Sequence, residues 1–133
     1  MIAGINEILN DNGALTTALG GDGKIFPMVV DTGVQPPFVA TYLAKSGSME
    51  VKDAVSGIEY PTVGVNVHAK DYDELETVCD ALREALNGIT STTETGHTFI
   101  RIWLVNEFDR PDMYDVNRPT YTRTLHFNCI IKR

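Results

Sequence analysis

Between Thr62 and Ala69 the chain alternates without interruption. Val63, Val65, Val67 and Ala69 fall on one side, and Thr62, Gly64, Asn66 and His68 on the other. A two-residue repeat predicts a half-buried strand. Just beyond it the period changes. Tyr72, Leu75, Cys79, Leu82 and Leu86 recur at helical spacing, with Val78 and Ala85 beside them, so residues 71–87 predict an amphipathic helix. Asp71 is a suitable N-cap, Glu74 three residues on completes a capping-box pattern, and Gly88 can take the left-handed conformation that ends a helix. The apolar stripe of that helix needs a sheet to cover.

The remaining segments supply one. Ile2, Ile5, Ile8 and Leu9 have helical spacing. Asn10 to Gly13 interrupts them, and Ala14 to Leu19 resumes a short turn of helix before Gly20-Gly21, so this region is a broken helix or two short ones. Lys24 to Pro27 predicts a short extended piece. The pair Pro36-Pro37 leads into a strand over Phe38 to Lys45. Ser46 to Gly57 is mostly polar and predicts a long turn. Two late strands come last. In the first, over Thr98 to Phe108, Ile100, Ile102 and Leu104 oppose Phe99, Arg101, Trp103 and Val105. In the second, over Thr120 to Lys132, Leu125, Phe127, Cys129 and Ile131 share one face with Tyr121 and Arg123. The order is helix, three strands, helix, two strands. It predicts an α+β fold of one domain over residues 1–133, with a mainly antiparallel sheet packed on one long helix and an N-terminal helix. Both faces of the late strands carry large apolar groups. The helices cover one, so the other needs a second cover, which in a small domain is often another subunit.

A chain of 133 residues and 43% hydrophobic content can build one core. No apolar run approaches the roughly 20 residues that span a bilayer, and the first residues lack the basic start and apolar stretch of a signal peptide, so no membrane partner is expected. The formal net charge of −7 disfavours free nucleic-acid binding, which needs cations to replace condensed counterions. Cys79 and Cys129 read as two buried thiols of a cytosolic protein; nothing in their spacing suggests a disulfide scaffold or zinc site.

No catalytic constellation emerges, and no cofactor or metal is expected. Gly20 to Gly23 lacks the Lys-Ser/Thr of a phosphate loop. His68 and His126 share the non-core face of their strands and could approach each other, but their same-face neighbour Asn66 is a poor zinc ligand. Asp109, Asp112 and Asp115 recur every third residue, yet the loop holds Pro111 and no glycine, so a flexible acidic loop is a better account than a calcium loop. Asp73, Glu74, Glu76, Asp80 and Glu84 crowd the outer face of the helix against Arg83 alone. That is either a solvated surface or an acidic patch that meets a basic partner.

Several pieces in order carry a resemblance. They are the opening helix ending Leu19-Gly20-Gly21, the step Lys24-Ile25-Phe26-Pro27, the strand start Pro36-Pro37-Phe38-Val39, the valine strand, the helix ending Leu86-Asn87-Gly88, and Tyr121 to Phe127 after the loop Asp109 to Asp115. Over nearly the whole chain this arrangement resembles the phage tail-completion proteins, related in fold to the tail terminators of long-tailed phages. The resemblance implies a structural, non-enzymatic virion protein, assembled in the host cytoplasm. It implies a homo-oligomer, a hexameric ring that caps the head-proximal end of the tail tube, stops its polymerisation and offers a docking face to the head-completion or connector protein. DNA would pass through the bore without specific binding, and Asp73, Glu76, Asp80 and Glu84 could face that bore. Phe99, Trp103 and Tyr114, large groups with no obvious core duty, and the loop residues Asp109, Asp112, Asp115 and Arg118 are the candidate ring contacts. The alternatives are a head–tail connector of the neck, and a small α+β ligand-binding domain or enzyme.

Overall fold

A computed structural model describes residues 2–21, 23–28, 34–45, 57–94, 96–114 and 120–132. Helices α1 (Ile2–Asn10) and α2 (Gly13–Ala18) come first. Strands β1 (Ile25–Pro27), β2 (Phe38–Lys45), β3 (Ile58–Glu59) and β4 (Thr62–Ala69) lead to the long helix α3 (Tyr72–Leu86). Strands β5 (Thr90–Glu94), β6 (His97–Asp109) and β7 (Tyr121–Lys132) complete the sheet, with a 3-10 turn at Pro111–Met113 between the last two. The path across the sheet is β1-β2-β4-β7-β6-β5, and β3 also pairs with β7. Among the described residues only β1 with β2 is a parallel pairing; every other pairing is antiparallel. The fold is α+β, as the segment order requires.

Local chemistry explains the boundaries. Asn12 caps α2 by accepting from the Leu15 N–H at 2.9 Å, which makes two helices out of the broken apolar run. Asp71 caps α3 by accepting from the Glu74 N–H at 2.8 Å, and the Glu74 carboxylate accepts from the Lys70 N–H at 3.1 Å. Gly88 comes just after α3 with φ +90°, a conformation that costs a side-chain-bearing residue energy. The valine strand behaves as its period dictates: Val63, Val65, Val67 and Ala69 are fully buried beneath α3 and the N-terminal helices.

The late strands depart from simple alternation. In β6 the pairing with β7 passes from Phe99–Ile131 to Arg101–Ile130, leaving Ile100 as an extra residue, and again from Leu104–Phe127 to Asn106–His126, leaving out Val105. Each bulge flips the parity of the residues beyond it. Phe99 therefore belongs to the core with Ile102 and is completely buried, which corrects its placement as a ring contact. Tyr72 is likewise corrected: it begins the helical stripe but lies 47% exposed outside the core. The short strands β3 and β5 have no counterpart in the periodicity either. The expected long turn over 46–57 lies outside the described residues but for Gly57.

The face of the sheet away from the helices is tied by hydrogen-bonded pairs between β4 and β7. Thr62 donates to Asn128 and Thr124 donates to Asn66, both at 2.7 Å, and the Thr122 hydroxyl lies 3.0 Å from His68 Nδ1. This face is not bare throughout. Near Asn66, where Met28, Arg110 and Met113 gather beside Tyr42, Thr122 and Thr124 are buried. At the other end Trp103 and Ile130 remain half-buried and Lys45 and Arg101 exposed.

Candidate assembly surfaces

The end of β6, the start of β7 and the start of α3 meet in a cluster of charges centred on Arg123. This residue occupies the apolar register of β7, between Tyr121 and Leu125, and is only 7% exposed. Its Nε donates to Asp109 at 2.6 Å, its Nη2 to Glu76 at 2.7 Å and to Tyr72 Oη at 2.8 Å, and its Nη1 to Glu107 at 3.4 Å. Tyr72 Oη donates in turn to Asp109 at 3.1 Å. Arg83 bridges Glu107 and Asp80. Burial opposes the charge on Arg123, but the hydrogen bonds to Glu76 and Asp109 outweigh it and raise its pKa above the ordinary value. The same contact with Arg123, helped by Tyr72 against some burial, holds the Asp109 carboxyl below the usual range. Charge-assisted contacts of this kind lock the helix to the two strands.

Beside the cluster lies a mostly apolar cleft of about 250 Å³, lined by Tyr72, Leu75, Pro111, Tyr114 and Tyr121 among others. Three tyrosines form its lip. Tyr121 meets Tyr72 edge-on, with ring centroids 6.3 Å apart, and Tyr114 at 5.7 Å. All three are more than two-fifths exposed. Asp112 accepts both Nε and Nη2 of Arg110 on the outer side.

The opposite end of the sheet carries the reverse charge. Lys45, Thr62, Asn128 and Trp103 occupy one cross-strand row, and Lys45 and Trp103 line a common hollow. The Arg101 guanidinium lies over the Trp103 ring, 5.0 Å from its centre. Lys132, at the end of β7, shares this face and is exposed.

Of the candidate ring contacts, the structure thus brings Asp109, Asp112 and Tyr114 together, places Trp103 at the far end, and puts Phe99 in the core. Asp115 and Arg118 lie outside the described residues. Of the acidic stripe, Glu76 and Asp80 are turned to arginines, while Asp73 and Glu84 are exposed. Sequence reasoning missed Arg123, Tyr72 and Tyr121 as members of the surface. A signal for Arg123 existed, since a charge at a core position of a strand calls for buried partners.

His68 and His126 do not meet. His68 is opposite Thr122 and stacks on Phe38 at 4.6 Å, whereas His126 is opposite Gly64 and packs edge-on against Phe108. Four residues of β7 separate their rows, roughly 13 Å. Among the described residues no three His, Cys, Asp or Glu side chains are grouped to hold a metal ion. Cys79 and Cys129 are buried and free, and burial pushes both thiols up to about 12. No helix among the described residues is long and apolar enough to cross a membrane.

No family model and no curated protein matches the chain. A chain in the solved structure described as "Virion of native gene transfer agent (GTA) particle" is similar to it, at 13% identity and a TM-score of 0.75, over 98% of this chain and 93% of that one. At that identity the likeness is one of fold, and it extends over the domain from end to end.

Proposed function

We propose that this chain is a structural, non-enzymatic subunit of a tailed virion, and within it the ring-forming tail terminator that caps the head-proximal end of the tube. The observation that carries this reading is the end-to-end likeness of fold to a chain of a virion particle. The surface supports it. A head-to-tail ring needs two different patches per subunit, and the tyrosine cleft and the Arg101–Trp103 end lie far apart on one sheet. The exposed Asp73 and Glu84, with Asp80 between them, would give the bore an anionic lining along which the DNA backbone slides without adhering. The ring would be a hexamer, bound to the tube protein below and the head connector above.

The test is genetic and structural. A phage that encodes the chain and is deprived of it should make tail tubes of uncontrolled length that fail to join heads, and labelled protein should lie at the head-proximal tip of purified tails. Label on tailless heads, with tube length unchanged by the deletion, would move the protein to the connector of the neck.

A further inference from the structure

We propose that the ring contact is made by inserting the Arg101–Trp103 pair of one copy against the tyrosine cleft of the next copy; this rests on the ring reading above. Two surfaces of opposite character carry the argument. Around the cleft, Glu76, Asp109 and Asp112 outnumber the guanidinium groups of Arg110 and Arg123 among the described residues, leaving a net negative rim around a mostly apolar floor. At the far end Lys45, Arg101 and Lys132 are exposed and form no ion pair among the described residues. The nearest acid in register, Glu59, pairs with Ile131 and so belongs to the other face of the sheet.

The chemistry of the two surfaces matches. A guanidinium already stacked on an indole presents a flat cation with an apolar underside, and tyrosine rings bind such a group face-on while carboxylates at the rim take its N–H donors. One subunit cannot satisfy itself. From Tyr121 to Ile130, the residue opposite Arg101, the strand advances nine residues, roughly 30 Å at the usual rise. The two ends can therefore meet only between copies; used in one direction, with each copy giving one end and receiving the other, the contact is head-to-tail and makes a ring when the rotation between neighbours closes.

Two experiments on assembled particles test this. In the first, Thr98→Cys, beside Arg101 on the same face, and Met113→Cys, beside the cleft, are placed in one chain and particles are treated with a short bis-maleimide; the native Cys79 and Cys129 are buried and do not compete. A ladder extending beyond dimer is expected, and a pattern that stops at dimer or monomer would overturn the pairing. In the second, Arg101→Glu is expected to cut incorporation into particles at least about tenfold, as is Asp112→Arg, while the double variant, with the polarity of that one pair exchanged, returns to within about threefold of the parent. Incorporation of Arg101→Glu at the parental level, or a double variant no better than the worse single, would overturn the inference. Melting temperatures of the variants within about 2 °C of the parent show that folding is not what changed. Absence of the parent protein from purified particles would instead defeat the virion reading on which the pairing rests.

Discussion

Arg123 donates to Asp109 at 2.6 Å from a position where β7 otherwise presents Leu125, Phe127, Cys129 and Ile131 to the core. A guanidinium at the end of an apolar face is stable only because Glu76, Asp109 and Glu107 converge on it. Arg123→Met would leave those carboxylates facing one another. Two of them are nearly half exposed, so the cost falls below that of a fully buried pair, at about 2 kcal/mol, or a melting temperature lower by about 8 °C at pH 7. Because the contact depresses the pKa of Asp109, its stabilisation is present above the ordinary aspartate value of 3.8 and is lost as pH falls through the folded value. The gap between parent and variant melting curves should close in acid below about pH 4.

His68 gives a different pH window. Burial against Phe38 lowers its pKa from 6.5 to about 4. The folded state resists protonation, so stability is present above 6.5 and drains away as pH falls toward 4. Allowing for partial exposure, the loss is about 1 kcal/mol between pH 7 and pH 5. His68→Gln, which can keep a hydrogen bond to Thr122, should flatten denaturant-measured stability over that interval. A slope equal to the parent's would place the titration elsewhere.

Tyr42 lies across Gly64 so closely that a Cβ there would stand 2.2 Å from its Cζ. Gly64→Ala must displace the ring, at a cost of about 1–2 kcal/mol. With Tyr42→Ala already in place, the same substitution should be neutral or stabilising, since glycine otherwise weakens a strand. A double-mutant cycle with a coupling near zero would show that the ring moves freely.

Trp103 is half-buried beneath Arg101 and outside the core. Trp103→Ala should cost about 1 kcal/mol of monomer stability from partial loss of buried area, yet reduce incorporation into particles by a larger factor. If thermal stability and assembly fall in proportion, the indole serves packing alone.

Much of this architecture is written in local periodicity. The valine strand, β2 and α3 appear where alternation, caps and prolines place them, because each is specified by residues close in sequence. The failures have a common cause in long-range pairing. Ile100 and Val105 bulge because β7 imposes a register on β6, so the parity of Phe99 and Trp103 could not be read from β6 alone. Thr90–Glu94 is entirely polar and becomes a strand because β6 offers it an edge. The candidate surfaces were half legible. Asp109, Asp112 and Tyr114 stood out as a loop cluster, whereas Tyr72 and Tyr121 looked like core residues and join them only through the folded arrangement of α3 and β7.

The placement of β7 also governs when the molecule can form. Among the described residues, the strands that precede it make two separate sets, β1-β2-β4 and β5-β6, joined edge to edge only through β7. A growing polypeptide therefore leaves the ribosome with unfilled hydrogen-bonding rows on both sets, and those rows are sticky. Folding of the sheet waits for the last strand in sequence and then proceeds in one cooperative step, with the slow kinetics of distant partners. Truncation ahead of Tyr121 is therefore expected to yield aggregates instead of a smaller folded domain.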